Sequence, residues 1–183
     1  MVKRCNWGET ENEKYREYHD HEWGKLNLDE KYLYEMLILE TFQSGLSWST
    51  ILNKRENFRK AFADFDYEKV AKYSYNEFFD LMHDQGIVRN VKKVDAAIAD
   101  AKAIVALHKQ GTSLGELLKQ LVPDPIINHP KTDQDVPSQT ELSEKIAKVL
   151  KEKGFEMLGP VTVYSFLQAV GLVNDHLDDC SFK

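Results

Sequence analysis

Long apolar runs are missing from this 183-residue chain. No stretch approaches the roughly 18 consecutive apolar residues of a membrane-spanning helix, so no membrane association is expected. Residues 1–7, Met-Val-Lys-Arg-Cys-Asn-Trp, lack the apolar core of a secretory signal, and a cytoplasmic protein is expected. Cysteine is scarce as well. Only Cys5 and Cys180 occur, and a reducing compartment suits them better to a metal than to a disulfide. Linkers rich in Gly or Ser are absent, so residues 1–183 read as a single compact unit, expected to be a monomer with two lobes sharing one core. Positive charge is in deficit: 24 Lys and Arg against 30 Asp and Glu give a net charge of −6. That excludes a protein that coats nucleic acid non-specifically, though not one that grips a few phosphates locally. The deficit is uneven. Between Gly86 and Lys109, Arg89, Lys92, Lys93, Lys102 and Lys109 meet only Asp95 and Asp100, a basic island on an acidic chain.

What the chain has in plenty is helical periodicity, and it is organised around Leu33 to Trp48. At about 100° per residue, Leu33, Met36, Leu37, Glu40 and Ser44 share one stripe, while Tyr34, Ile38 and Phe42 cover other faces. A helix apolar on nearly all sides is buried. Glu40 then loses much of its hydration and needs a partner, a raised pKa or a ligand. The helix should end near Gly45, with Ser47 capping a new one that carries Trp48, Ile51 and Leu52. Across that turn, Glu40 and Trp48 would face a common pocket. Aromatic residues are dense before this helix: Trp7 leads into Glu13 to Trp23, where Tyr15, Tyr18, His19 and Trp23 fall in a weakly helical pattern.

Further along, Phe78, Phe79, Leu81 and Met82 mark a helix that ends before Gly86. Gly86-Ile87-Val88-Arg89-Asn90 follows, and then a long helix from about Val91 to Gln110. In this helix, Gly turn and helix, Ile87 and Val88 can pin the turn, Gly86 permits positive φ and close approach, and the amides opening the second helix point outward. A DNA phosphate fits there without net positive charge on the protein. A short helix from Ser113 to Leu121 leads to Val122–Gln139, which carries four of the five prolines and reads as a surface loop. Helices from Thr140 to Lys153 and from Pro160 onward complete the chain. No convincing strand is found, and the class is all-α.

At the ends, His176 and Cys180 are four residues apart, which in a helical turn puts both on one face, as two tetrahedral zinc ligands require. Cys5 with His19, or with its rival His21, could supply the other two. Such a closed Cys2His2 site would be structural and would join the termini, restricting the unfolded chain as a cross-link does.

Taken together, these segments resemble the bacterial DNA-3-methyladenine glycosylase I family, within the helix-hairpin-helix DNA glycosylase superfamily. The resemblance rests on Arg4-Cys5-x-Trp7, Tyr18-His19-Asp20-x-Glu22-Trp23-Gly24, Leu39-Glu40-x-x-Gln43-x-Gly45-Leu46-Ser47-Trp48, Lys54-Arg55-Glu56, Gly86 to Asn90, Gly154-Phe155, and Gly171 to His176 with Cys180. It spans residues 4 to 180. Leu26 departs from the pattern, standing where a Pro often follows Glu-Trp-Gly. Thr41-Phe42 replaces a more usual Gly-containing pair, and Leu117 to Leu121 lacks a Trp often found there.

The resemblance implies a helix-hairpin-helix fold with one structural Zn2+ held by Cys5, His19, His176 and Cys180, which favours His19 over His21. It implies Glu40 as the carboxylate that hydrogen-bonds the methylated base, Tyr18 and Trp48 as stacking walls, Trp7 and Trp23 as further lining, and Tyr15 as a neighbour. The turn Gly86, Ile87, Val88, Arg89 and Asn90 would bind DNA backbone. The expected partner is alkylated double-stranded DNA, with free 3-methyladenine as product and an abasic site left behind. No Lys nucleophile is evident, and neither Asp95 nor Asp100 is assigned as the superfamily's catalytic Asp. The competing reading is a non-catalytic DNA-binding module, in which Glu40, Tyr18 and Trp48 would be dispensable.

Overall fold

Residues 2–183 are described by a computed structural model. Helix α1 (Glu13–His21) begins where the Asn12 side chain accepts the Tyr15 amide, and α2 (Glu30–Gln43) where Asp29 accepts that of Tyr32. These bonds satisfy amides that have no partner inside the first turn. Every residue of α2 from Leu33 to Phe42 is buried, as its all-round apolar pattern requires. The chain turns at Gly45, whose φ of +81° lies in the left-handed region, and Ser47 caps α3 (Trp48–Ala61). Thr41 and Phe42, the pair that departs from the family pattern, are built into this core. The Thr41 hydroxyl donates to Leu37 O at 2.9 Å, and the Phe42 ring meets Phe58 edge-on at 4.9 Å.

A single turn, α4 (Tyr67–Val70), and α5 (Tyr75–His83) precede the long α6 (Val91–Lys109). Then come α7 (Leu114–Leu121), β1 (Ile126–Ile127), α8 (Glu141–Glu152), α9 (Pro160–Ala169) and β2 (Val173–Asn174). Helix α2 is the centre of packing and touches α3, α6, α7 and α9. Each fully buried Leu, Ile or Phe on it contributes about 1.5–3 kcal/mol. None of the described helices is long and apolar enough to cross a membrane.

The fold is mostly helical, as expected, but it is not purely so. Ile126 and Ile127 pair in parallel with Val173 and Asn174, through Ile126 N–H to Leu172 O at 2.9 Å and Asn128 N–H to Asn174 O at 3.0 Å. Two-residue strands are too short to show alternation, so periodicity missed them. Gly171 sets up this segment. Its φ is +75°, and a Cβ there would stand 2.1 Å from the Lys25 carbonyl carbon. The chain leaving α9 therefore passes against Lys25 and Leu26 only because it has no side chain at that point.

The basic island is smaller than its composition suggests. Lys93 is 8% exposed and points inward, and Asp100 is wholly buried.

Candidate active site and metal cluster

A cavity of about 450 Å³ opens between α1, α2, α3 and α9. Five aromatic side chains line it with Glu40: Trp7, Tyr15, Tyr18, Trp23 and Trp48. Tyr15 and Tyr18 come from one face of α1, Glu40 from the last full turn of α2, and Trp48 from the first residue of α3. Trp7 lies in a 3-10 turn (Asn6–Gly8), and Trp23 just beyond α1. The rings are close: Tyr18 to Trp48 at 5.1 Å and 58°, Trp7 to Trp23 at 4.9 Å and 86°, and Trp7 to Tyr15 at 5.3 Å. The structure thus brings together the five aromatic residues expected around Glu40.

Glu40 is 6% exposed, and burial alone pushes its carboxyl up to about 8. No hydrogen bond or neighbouring cation among the described residues draws it back. Its presence also raises the hydroxyls of Tyr15 and Tyr18, although burial is the larger cause for both. Nearby, the Trp48 indole N–H is buried without a partner among the described residues. One unsatisfied acid and one unsatisfied donor therefore border the same cavity, where a heterocycle carrying both donors and acceptors would satisfy them.

The far side of the cavity was not legible as part of the site. There Gln168 gives its amide N–H to Asp175 at 2.7 Å, while Asp175 also accepts from the Tyr164 hydroxyl at 2.6 Å and the Asn128 amide at 2.7 Å. The only sequence signal for Gln168 was a polar residue inside an apolar helix.

The walls rest on an ion network. Arg55 of α3 reaches Glu22 through both terminal nitrogens and Glu35 of α2 through Nε at 2.7 Å, and Arg59 joins Glu35 at 2.9 Å. These bonds tie α1, α2 and α3 together beside the cavity.

Behind Trp7 and Trp23 the metal cluster begins. The Cys5 and Cys180 sulfurs and a His19 ring nitrogen lie within 4.8 Å of one another. The His176 ring packs at 4.9 Å from that of His19, with its Nε2 3.3 Å from the His19 carbonyl oxygen. It therefore stands next to the three converging donors, not among them. His21 is exposed and faces Glu17, which removes it as a rival. The four-residue spacing does not act through a helix: Asn174 ends β2, and residues 178–179 form a turn that brings Cys180 back.

The donor chemistry fits a thiophilic cation. Arg4 holds Asp20 through Nε and NH2, each at 2.8 Å, and Asp20 accepts the His19 Nδ1–H at 2.8 Å, which leaves Nε2 unprotonated, accepting a long 3.4 Å bond from the Cys5 amide. Asn174 Oδ1 likewise orients His176 through Nδ1 at 2.9 Å. Burial pushes the Cys5 thiol up to about 12, so without a cation it keeps its proton. Gly8 leaves room for this packing, since a Cβ there would lie 2.6 Å from the His19 ring.

The turn between α5 and α6 forms as expected, with one difference. Gly86 does not use positive φ; it is needed for space, because a Cβ would come 2.9 Å from Asp84 Oδ1 and 3.1 Å from Asn57. Ile87 is buried and Val88 half-buried, while Arg89 and Asn90 are exposed. The Asn90 side chain caps α6 by accepting the Lys93 amide at 3.1 Å.

Comparison with known proteins gives a consistent picture. A relative from Haemophilus influenzae named DNA-3-methyladenine glycosylase is 41% identical, covering 100% of this chain and 99% of its own. Another from Escherichia coli, DNA-3-methyladenine glycosylase 1, is 39% identical over 98% of this chain and 96% of its own. A crystal structure of a 3-methyladenine DNA glycosylase I superposes with a TM-score of 0.95 at 38% identity, covering 98% of both chains. The Staphylococcus aureus enzyme, in a structure concerned with 3-methyladenine recognition, gives 0.91 at 38% identity over 95% of this chain and 93% of its own. A sequence profile described as methyladenine glycosylase matches residues 7–183. The chain belongs to the methyladenine glycosylase family.

Proposed function

We propose that this protein is a monofunctional DNA N-glycosylase that removes N3-methyladenine from alkylated double-stranded DNA and leaves an abasic site. The observation that carries this reading is Glu40, a buried acid without a partner among the described residues, set among aromatic rings in a cavity large enough for a purine. Methylation at N3 places positive charge on the base and weakens its bond to the sugar. The bond then breaks with its electron pair moving to the base, which leaves as neutral 3-methyladenine. Water adds at the sugar carbon and loses a proton.

For this the base must leave the helical stack, at a cost of a few kcal/mol that is lower for damaged bases. Tyr18 and Trp48 offer their faces to the cationic ring, each contact contributing about 0.5–2 kcal/mol. Trp7, Trp23 and Tyr15 complete the wall, and Glu40 accepts from the exocyclic amine. These contacts stabilise the charged base before the bond breaks, whereas in the transition state positive charge moves to the sugar. Only what strengthens there speeds the step. Glu40 is thus assigned first to selecting the base.

The hairpin Gly86 to Asn90 grips the DNA backbone through the amides that open α6. Cys5, His19 and Cys180 would hold one Zn2+, with His176 completing the set once its ring turns toward them; the ion would supply a structural link between the chain ends and take no part in the reaction. A cytoplasmic monomer suits this role.

The test is release of free base from methylated duplex DNA, resolved by chromatography, for the wild type and for Glu40→Gln, with folding checked by circular dichroism. Release of 3-methyladenine with little 7-methylguanine, weakened by the substitution, supports the reading. No release by a folded wild type leaves a non-catalytic DNA-binding module. A covalent adduct trapped by borohydride on the abasic product would refute the monofunctional assignment.

A further inference from the structure

Lys93 is the third residue of α6, and its side chain does not reach solvent or an acid. Its ammonium donates to Phe42 O at 2.8 Å and to Ser44 O at 2.6 Å, the carbonyls that end α2. Its own amide is held by the Asn90 side chain, the last residue of the hairpin. A continuous path of hydrogen bonds therefore runs from the hairpin through one residue to the end of the helix that carries Glu40. Gly45, Leu46, Ser47 and the wall residue Trp48 follow directly.

Chemistry makes this contact specific. The last carbonyls of a helix have no partner within it, and a cation there is favoured by the helix dipole. A buried ammonium without a carboxylate is otherwise costly, and burial indeed lowers the Lys93 pKa. Packing alone would be met by Met or Leu at lower cost. What the ammonium adds is two directed bonds that fix the end of α2 relative to the start of α6.

We infer that Lys93 is a positioning residue that couples the DNA-gripping hairpin to the base cavity. It holds the Phe42–Trp48 turn in place so that a nucleotide anchored at one site is presented at the other. The inference rests on the glycosylase reading above, and it gives Lys93 no contact with the reacting atoms.

The experiment compares the wild type with Lys93→Met, Lys93→Gln and Lys93→Arg, with Lys102→Met as a surface control. Four quantities are measured: single-turnover base release at saturating enzyme, affinity for free 3-methyladenine, affinity for undamaged duplex, and amide hydrogen exchange of residues 40–48 with and without duplex. Coupling predicts that Lys93→Met slows release at least tenfold while both affinities stay within twofold. It also predicts that Lys93→Arg restores most of the rate. Duplex should slow exchange at residues 40–48 in the wild type and not in Lys93→Met. Lys93→Gln gives the same comparison if the Met variant fails to fold. Release within twofold of wild type overturns the inference, as does parallel loss of free-base affinity and rate, which marks a merely structural role. If the wild type releases no base, the glycosylase reading fails, and the exchange experiment still decides whether Lys93 couples the two sites.

Discussion

Arg55 grips Glu22 through two parallel N–H···O bonds of 2.8 and 2.9 Å, although the residues lie 33 positions apart. Because Glu22 directly precedes Trp23, and Arg55 also bonds Glu35, this fork sets the angle between α1 and α2 at the cavity. Removing one partner from a largely buried pair leaves the other uncompensated. Arg55→Met should therefore cost about 2–3 kcal/mol in urea unfolding, discounted because Glu22 is partly solvated. Arg55→Lys should recover less than half of that, since an ammonium cannot form the fork.

Glu40 makes stability depend on pH in an unusual direction. Its folded pKa of about 8 lies above the ordinary carboxylate value, so the folded state holds a proton that the unfolded state has given up. That contribution is complete at low pH and is lost as pH rises from about 4.5 through about 8. Glu40→Gln removes the penalty. The variant should be more stable than the wild type by about 3 kcal/mol at pH 7, with the difference vanishing near pH 4. Paired thermal melts across this range check it, and a constant difference would show that Glu40 is not protonated in the fold.

The metal cluster predicts a stoichiometry. Protein purified without chelator should carry about one zinc per chain by native mass spectrometry. Cys180→Ser should lose it and melt at lower temperature. His21→Ala, at an exposed position away from the cluster, should leave both unchanged.

The aromatic wall predicts a spectroscopic signal. Free 3-methyladenine stacked against Trp48 should quench tryptophan fluorescence, and Trp48→Ala should weaken its binding about tenfold, in keeping with about 1–3 kcal/mol for one base stacked on an aromatic face. Trp48→Phe, which keeps a face but loses the unpartnered indole N–H, should fall between.

Most of the helices were legible because each shows its own period: Ser47 caps α3 as expected, and Asp29, Asp66, Asn90, Ser113 and Thr140 each accept an amide of the helix they open. What escaped was information carried by distant partners. The β1–β2 pairing joins residues 47 apart in sequence with two residues on each side. Lys93 has the composition of a surface cation and the position of a buried clamp, and only α2 packing against α6 decides between them. Gln168 faces the cavity because α9 lies beside α2, which no local pattern encodes. For the cavity itself, the residue types were enough to suggest Glu40 and its rings, while their common orientation comes from the tertiary packing.

The raised pKa of Glu40 bears on how the cavity discriminates among bases. At neutral pH the empty cavity keeps a proton on Glu40, the acid set among the rings, and would show no charge there to the neutral bases of intact DNA. In the proposed reading, a base bearing positive charge would drive that proton out, so Glu40 would become an anion only for the guest that needs one. When the glycosidic bond breaks and the base turns neutral, the carboxylate would lose its counter-ion and take up a proton again, one being released as water adds to the sugar. The charge that secured the damaged base would thus disappear when the base is freed, leaving the product held only by the aromatic faces and neutral hydrogen bonds.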